Sequence, residues 1–517
     1  MLSQLFMTEI PPHHCKLPDR VNDLMRDYGS SIHAVLPQQG NGEPARCQEF
    51  NVTDEDLEDT VRGLLKHNQS WPVMSCQRGW SYNVSALGVD VGPTSIVDEF
   101  DLVCDKDFYP SLVLSIFNVG SVIGVAAFGY ISDRYGRKKA FFSCLLLETI
   151  GAFATGLSPN FGTFIFTRFL VGLTIPAIWQ LPFILGGLLL LTGLAYVFPY
   201  WKHVAFATAV PLLPLFLAYK YLPESPRWNL RKGRIKETLE TMETIARVNG
   251  TPMNEATRER VEMLLRKEAE QEEVQKSTQK HSKAPTVLDL FRTPNMRRKT
   301  LLINLSWFAN QTVYMGLNYC GPAMGNNSYV GFSLSSAVEL ICYPPTYLAM
   351  DKIGRRLPMA IAMIIGGISA ICTVVMPSDE PTPTMILFLI SKLSITASFL
   401  IIYPFAGELY PTELRSIGLS LDSYVSNLGL IAVPFIVYLG VENLVLPLII
   451  MGVISTVGGV FSLLLPETLN KPLPQTLEEA EEFGKGWGWR SVLRGEKKAK
   501  EEMPECKTQS MDLDALA

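Results

Sequence analysis

The chain has 517 residues, of which 48% are hydrophobic and only 18% are charged, and its formal net charge is −5. A soluble chain of this length is expected to divide into several domains. Here the apolar residues instead gather into runs of about 20, the length of a bilayer-spanning helix. The basic residues are scattered along the flanks of these runs and in one long loop, which disfavours nucleic-acid binding. The composition therefore predicts an all-α polytopic membrane protein.

The apolar runs define at most eleven candidate spans. They lie at about 110–132, 140–158, 162–184, 186–201, 203–222, 300–320, 329–350, 357–376, 384–404, 416–438 and 444–465. Lys and Arg collect in three loops, and short cytoplasmic loops are enriched in both. These basic loops are residues 131–140, 227–299 and 351–358. Placing them inside predicts an extracellular region at 1–109 and a cytoplasmic tail at 466–517.

Two features of residues 1–109 agree with an extracellular location. Three glycosylation sequons begin at Asn51, Asn68 and Asn83, and such acceptors lie on surface segments of secreted regions. Four of the nine cysteines also occur here: Cys15, Cys47, Cys76 and Cys104. Four cysteines allow two disulfides in three connectivities, which the sequence leaves open. The other five cysteines have no metal-ligand spacing, so no metal site is predicted.

Two short motifs occur twice in the same order. The loop GYISDRYGRKK (129–139) matches MDKIGRRLP (350–358), and LPESPRW (222–228) matches LPETLNKP (465–472). This repetition indicates a duplicated bundle. Parallel repeats of six helices are typical of major facilitator transporters. We therefore expect an N-terminal bundle at 110–222, a cytoplasmic linker with helices at 223–299 and a C-terminal bundle at 300–465.

The two halves differ in length between equivalent landmarks. Asp133 and Pro223 are 90 residues apart, whereas Asp351 and Pro466 are 115 apart. The longer half contains the polar turn GELYPTELRS at 407–416, and the shorter half has 33 residues without a charge at 169–201. We expect this charge-free run to form a hairpin that turns at Gly186-Gly187, with a loop missing. The first 15 residues contain no apolar run long enough to span a membrane.

These motifs, together with RFLVGLTIPAIWQLPF (168–183), resemble those of the organic cation/carnitine transporter branch of the major facilitator superfamily. The likeness extends from Cys15 to about Leu473, and WQLPF with a neutral eleventh helix is similar to insect carcinine and carnitine-type carriers. It implies two six-helix bundles that move a small organic ion across the lipid bilayer, most simply the plasma membrane, by alternating access. Relatives also have a helix before the ectodomain and a charged loop after WQLPF, which implies an isoform or an incomplete gene model here.

Charged and glycine residues of the repeated motifs are candidate gating residues. The glycines permit tight turns, and the charges can pair with neighbouring helix ends and separate when the transporter changes state. The alternative is simple anchoring of positive charge at the inner surface. The candidates are Asp133, Arg134, Gly136, Arg137, Lys138, Glu224 and Arg227 in the first half, and Asp351, Gly354, Arg355, Arg356, Glu408 and Arg415 in the second.

Charges within spans are costly and indicate function. The resemblance places Glu339 and Lys392 at cavity positions, and a structural ion pair is the alternative. Arg168 either reaches the outer surface or has a role in the interior, and Asp422 lies close enough to the inner end to be a surface charge.

Aromatic side chains can bind a protonated or quaternary amine through cation–π contacts, although most aromatic residues in helices serve packing. The candidates are Trp179, Phe183, Trp307, Tyr314 and Tyr403. The resemblance places Asn427 where cation carriers have an aspartate, which leaves a zwitterion or weakly basic amine as the predicted substrate.

Two other functions compete with this prediction. A hexose carrier shares the PESPRW motif, and a transport-incompetent isoform with a regulatory role would explain the missing segments. An enzyme is not indicated, because no nucleophile–base pair occurs in a recognisable motif. The chain contains no P-loop, so no nucleotide or other cofactor is predicted. Oligomeric state and ion coupling remain open.

Overall fold

The computed structural model describes residues 3–28, 32, 35–38, 44–65, 71–82, 95–174, 184–279, 286–324, 328–376, 381–441 and 445–487. The N-terminal region contains four short helices and four short strands. The helices are α1 (Ser3–Met7), α2 (Asp19–Tyr28), α3 (Asp54–Val61) and α4 (Ile96–Glu99), and the strands are β1 (His13–Cys15), β2 (Gln48–Phe50), β3 (Val73–Ser75) and β4 (Trp80–Tyr82). The strands form two antiparallel pairs, in which His13 faces Tyr82 and Gln48 faces Ser75.

Two helical bundles follow. The first contains α5 (Tyr109–Tyr135), α6 (Arg137–Gly156), α7 (Phe161–Gly172), α8 (Ile184–Val197) and α9 (Trp201–Ala209), which continues as a 3₁₀ helix at Val210–Lys220. The second contains α13 (Pro294–Cys320), α14 (Ser328–Ile353), α15 (Arg356–Cys372), α16 (Pro381–Leu409), α17 (Arg415–Tyr438) and α18 (Val445–Ser462). Between them lie α10 (Pro226–Arg231), α11 (Ile235–Val248) and α12 (Glu255–Gln279), and α19 (Leu477–Glu482) follows the second bundle.

Seven described helices can cross a membrane by length and composition. They begin at Cys104, Arg137, Trp201, Arg356, Thr382, Arg415 and Val445. Helix α7 is apolar but shorter. The all-α polytopic fold predicted from the sequence is therefore confirmed.

One detail of the predicted spans is wrong. Gly186 and Gly187 do not form a turn, because Ile184–Val197 is one continuous helix. The glycines cost this helix about 1 kcal/mol each, but the apolar residues on both sides favour its continuation. The span predicted at 203–222 corresponds to Trp201–Lys220. It becomes a 3₁₀ helix at Val210, because Pro211 and Pro214 have no N–H to donate to the preceding turn.

Glycines bring α5 and α7 into backbone contact within the first bundle. A Cβ atom on Gly124 would lie 2.0 Å from the Leu173 carbonyl oxygen, and one on Gly120 would lie 2.6 Å from the Phe169 carbonyl oxygen. Gly120 and Gly124 are four residues apart and therefore share a face of α5. Such GxxxG spacing permits close packing between membrane helices.

Two disulfides cross-link segments of the N-terminal region to one another. Cys15 is bonded to Cys76 and Cys47 to Cys104, with Cα–Cα distances of 5.2 and 5.6 Å. The structure therefore selects one of the three connectivities that the sequence left open. His13 lies near Cys47 and Cys104, but disulfide sulfurs are not the thiolates that metals require.

The N-terminal region packs on the end of the bundles at which α5, α7 and α9 begin. Glu99 accepts a 2.7 Å hydrogen bond from the Trp201 indole and forms a 2.6 Å ion pair with Lys202. We call this end of the molecule the disulfide end. The opposite end, which carries residues 223–279 and 286–299, is called the linker end.

At the linker end, α19 holds the start of α13. The Glu481 carboxylate accepts backbone hydrogen bonds from Asn295 (2.9 Å) and Met296 (2.8 Å), and the Lys299 amine donates to carbonyl oxygens of Ala480 and Phe483. Partial burial opposes ionisation of Glu481, but the backbone hydrogen bonds from Asn295 and Met296 and the positive charge of Lys299 lower the pKa of Glu481 below its ordinary value. Glu481 therefore acts as an ionised helix cap.

Candidate functional site

The first repeated turn joins α5 to α6 at the linker end. Gly136 has a φ of 111°, a backbone conformation that residues other than glycine rarely adopt. Glu224 of the PESPRW motif accepts hydrogen bonds from the backbone N–H groups of Arg137 (2.8 Å) and Lys138 (3.0 Å). A carboxylate at a helix N-terminus is stabilised by the helix dipole. The motif at 222–228 therefore caps the helix that begins 85 residues earlier in the chain.

The second repeated turn has the same construction. Gly354 has a φ of 110°, and Glu467 accepts hydrogen bonds from the backbone N–H groups of Arg355 (2.9 Å) and Arg356 (3.2 Å). The side chain of Arg355 also forms a 3.1 Å ion pair with Glu408 at the end of α16. The second turn is therefore linked to a further helix of its bundle.

The ion pair of the first turn is local. Arg137 pairs at 2.8 Å with Asp133, one helical turn earlier, and both side chains are more than half exposed. Trp228 provides the contact between motifs, because its indole N–H donates to the Asp133 carbonyl oxygen at 3.0 Å.

The other candidate gating residues occupy more peripheral positions. Arg134 contacts Tyr130, and the Lys138 amine lies 4.3 Å from the centre of the Tyr219 ring. Arg227 and Asp351 are exposed. The Arg415 side chain is directed to its own turn, at Tyr410 and Thr412.

A buried ion pair lies in the second bundle. Lys392 of α16 is 2.6 Å from Glu339 of α14, and their side chains are 0% and 1% exposed. The Tyr314 hydroxyl on α13 donates to Glu339 at 3.1 Å, and the Lys392 amine lies 4.1 Å from the centre of the Tyr314 ring. Three helices therefore meet at one neutral pair of opposite charges. Burial of either charge alone would be far less favourable.

Aromatic side chains extend this pair along the bundle. Tyr314 stacks on Phe399 with ring centres 4.8 Å apart, and Tyr403 contacts Trp307 edge-to-face at 4.6 Å. Phe399 was not among the predicted residues. Its spacing from Lys392 and Tyr403, seven and four residues, places all three on one face of α16 and could have identified it.

A cavity of about 570 Å³ lies in the linker-end half of the second bundle. Its walls include Tyr343 and Tyr347 of α14 and Leu400 of α16, whereas Glu339, Lys392 and Tyr314 do not contribute to its lining. Tyr343 follows Glu339 by four residues on α14, about one helical turn. Neither tyrosine was among the predicted residues. The volume suits a small organic molecule.

Several predicted residues lie elsewhere. Trp179, Phe183, Asn68 and Asn83 fall outside the described residues, whereas Asn427 is half-buried and Asn51 is exposed. Arg168 does not reach the surface: it is 3% exposed, and its guanidinium carbon lies 5.5 Å from the centre of the Phe164 ring. Asp422 is not a surface charge, because it is fully buried and accepts a 2.9 Å hydrogen bond from Tyr410.

The bundles contact each other in their disulfide-end halves. Ser115 and Asn118 of α5 donate to the carbonyl oxygens of Ile431 (3.0 Å) and Leu430 (2.7 Å) on α17. Phe6 of α1 packs between α8 and α14, where it contacts Phe332. The described structure is therefore closed at the disulfide end.

Two repeated helical bundles, paired turns at one end and a buried charged cluster in the second bundle are the features of a polytopic membrane transporter. The family model named Sugar (and other) transporter matches residues 73–181 and 177–480. The chain belongs to this family of multi-pass membrane transporters. The two matched blocks meet at 177–181, within the charge-free run.

Individual relatives indicate which kind of transporter the chain resembles. The chain is 42% identical to the carcinine transporter of Drosophila melanogaster, covering 95% of this chain and 76% of the relative. It is 37% identical to the β-alanine transporter of the same organism, covering 93% and 83%, and 33% identical to organic cation transporter 1 of Caenorhabditis elegans, covering 93% and 82%. The predicted resemblance to organic cation transporters is confirmed.

Solved structures support the fold. The inward-open xylose transporter XylE from E. coli aligns with a TM-score of 0.53 at 16% identity, covering 72% of this chain and 88% of XylE. At this identity the similarity concerns the fold alone. The major facilitator fold predicted from the repeated motifs is confirmed.

Proposed function

We propose that this chain transports small organic cations or zwitterions with an amino group, such as carcinine or β-alanine, by alternating access. The observation that carries the proposal is the buried cluster of Glu339, Lys392 and Tyr314, which brings a carboxylate, an amine and an aromatic ring together from three helices. An amine substrate matches a carboxylate and aromatic rings, and a substrate carboxylate matches the lysine. The names of the similar carcinine and β-alanine transporters support this substrate class.

The positions of the closed end and the cavity support alternating access. The interbundle contacts lie at the disulfide end, and the cavity lies in the opposite half of the second bundle. Separation of the disulfide-end contacts and approach of the linker ends would expose the cluster to the other side. The paired turns at Gly136 and Gly354 are the proposed linker-end gate.

The proposed orientation places the disulfide end outside the plasma membrane and the C-terminal tail in the cytoplasm. The two disulfides support this, because they are stable in oxidising compartments. Asn51 is exposed and available for glycosylation. A glycosidase-sensitive mobility shift that is smaller in Asn51→Gln but unchanged in Asn249→Gln, a sequon of the linker, tests the orientation. A wild-type chain with no shift and an N-terminus accessible only from the cytosol would contradict it.

The proposed function is tested by uptake into liposomes that contain the purified full chain. We expect saturable uptake of labelled carcinine or β-alanine, no uptake of glucose, and at least a tenfold loss with Glu339→Gln. Glu413→Gln is the matched control, because Glu413 is exposed at the linker end. Uptake of glucose without uptake of any amine would support a hexose transporter and overturn our proposal.

A second candidate function is that of a transport-incompetent isoform that regulates a complete transporter. The observation that favours it is the difference between the turns: Arg355 reaches Glu408 on another helix, whereas Arg137 pairs with Asp133 locally. Absence of uptake by the chain alone, together with altered uptake by a co-expressed organic cation transporter, would support this alternative.

A further inference from the structure

A second cavity lies at the disulfide end, where the N-terminal segment meets both bundles. Its volume is about 300 Å³, and its lining comes from residues 5–10, the start of α5, the end of α13 and the end of α17. It is separate from the Glu339–Lys392 cluster, none of whose residues contributes to its lining. We call it the disulfide-end cavity.

Two carboxylates line this cavity, and both are half-buried. Glu9 accepts a 2.7 Å hydrogen bond from the Ser328 hydroxyl, and Asp107 accepts a 2.7 Å hydrogen bond from the Tyr438 hydroxyl. A hydroxyl donor leaves the negative charge of its acceptor in place. Within the described part of the chain, neither carboxylate forms an ion pair with a basic side chain. The cavity is therefore negatively charged.

The remaining walls suit the organic part of a cation. Phe6, Leu114 and Pro434 provide apolar surface, and Tyr319 adds a ring that is 5% exposed. Tyr319 lies beside Asn118, but its buried hydroxyl has no hydrogen-bond partner of ordinary length among the described residues. An unsatisfied hydroxyl in a cavity is available to a ligand. Apolar walls with a few converging polar groups are typical of small-molecule sites.

We propose that the disulfide-end cavity is an entry site for a small organic cation, whose protonated amine binds between Glu9 and Asp107. The proposal rests on the proposed transport of amines and on the extracellular orientation of this end. It adds a first binding step that is distinct from the Glu339–Lys392 cluster.

The site is also linked to closure of the transporter. Ser328 and Tyr438 belong to the second bundle, whereas Asp107 directly precedes α5 of the first bundle and Glu9 lies in the N-terminal segment. The two carboxylate–hydroxyl bonds therefore hold the closed end together. An ammonium group competes with these hydroxyls for the carboxylates. Its binding should favour separation of the disulfide ends, because a ligand stabilises the state that binds it better.

The test measures cation attraction without requiring transport. Ser111 lines the cavity, and Ser111→Cys introduces a thiol in the purified full chain. Its modification rates are measured with a trimethylammonium-bearing and a sulfonate-bearing methanethiosulfonate, each normalised to free cysteine. We expect at least a tenfold preference for the cationic reagent, and slowing of its reaction by millimolar carcinine.

Charge-neutral variants then assign the effect. Glu9→Gln with Asp107→Asn should lower the preference at least threefold and remove protection by carcinine. Asp105 is an exposed neighbour outside the cavity lining. Asp105→Asn should therefore change the reagent preference and the protection by carcinine by less than twofold. Each single variant should have a preference between that of Ser111→Cys alone and that of the double variant. A graded loss of this kind shows that the lost charges, and not misfolding of the double variant, lower the preference.

The outcomes separate this proposal from the transport proposal. A preference that is absent in Ser111→Cys, or protection that persists in the double variant, would overturn the entry site even if the chain transports carcinine. A charge-dependent preference and protection in a chain without uptake would support the entry site and contradict the proposed transport.

Discussion

The two bundles share their turns but differ in how those turns are connected to the rest of the protein. In both, a glycine with positive φ is followed by a helix whose first N–H groups bind a glutamate from the end of the same half. The arginine of the first turn pairs with a carboxylate next to the turn, Asp133, whereas Arg355 of the second turn pairs with Glu408 at the end of α16. Glycine-mediated backbone contacts occur in both bundles, between α5 and α7 at Gly120 and Gly124 and between α15 and α18 at Gly367 and Gly452.

This difference indicates two ways of fixing membrane helices. The second bundle uses charged groups that are shielded from solvent, including the Glu339–Lys392 pair, and its helices are therefore joined by directional contacts. Close backbone packing, as between α5 and α7, depends on shape. We expect variants of the buried charge pair to act through an unpaired charge, and variants that add volume at a close-packed glycine to act through separation of the helices.

The largest effect is expected from Lys392→Met. It leaves the Glu339 carboxylate buried without a cation, and removal of one partner of a buried pair costs about 3–5 kcal/mol. The double variant Glu339→Gln/Lys392→Met should recover much of this loss in thermal unfolding of the purified chain. Arg266→Met is the control, because the Arg266–Glu262 pair is exposed and contributes less than about 1 kcal/mol. Equal losses at both sites would contradict the assigned role of the buried pair.

The next effect concerns the first bundle. A Cβ atom in Gly124→Ala would lie 2.0 Å from the Leu173 carbonyl oxygen, so α5 and α7 must separate. We expect a loss of about 1–3 kcal/mol, measured by thermal unfolding. Gly129→Ala on the same helix has no atom within 4 Å of its new methyl group and should be neutral or slightly stabilising. Equal stability of the two variants would exclude close packing at Gly124.

The sequence predicted what depends on local or repeated patterns. The Gly136 and Gly354 turns and the long apolar helices could be located, because glycine, charge and hydropathy are properties of short segments. The Tyr314–Phe399 stack could not, since it depends on how α13 and α16 are placed against each other. The burial of Arg168 and Asp422 could not be decided from the sequence for the same reason. The predicted Gly186-Gly187 turn was wrong because the neighbouring apolar residues continue the helix.

A smaller effect should distinguish the two turns themselves. Glu467→Gln and Glu224→Gln both weaken a helix cap, a change worth about 1 kcal/mol. We expect the larger loss for Glu467→Gln, because it caps the half-buried Arg355 and the buried Arg356, whereas Glu224 caps the exposed Arg137. Melting temperatures of the two variants, measured side by side, test this order. A larger loss for Glu224→Gln would reverse the comparison between the bundles.

The smallest effect is expected at a third carboxylate cap, Glu481, which binds the start of α13 in the second bundle. Its hydrogen bonds outweigh partial burial and lower its pKa from the ordinary 4.5. A lowered pKa means that the native state binds the proton less well than the unfolded state. The contribution of Glu481 is therefore complete above pH 4.5 and is lost as the pH falls through the lowered pKa. Glu481→Gln should reduce stability by less than about 1 kcal/mol at pH 7, and its difference from the wild type should shrink in acid. Glu482→Gln, an exposed neighbour, should have the same melting temperature as the wild type at pH 7 and at pH 4. A difference for Glu481→Gln that grows in acid would show that its ionised form does not stabilise α13.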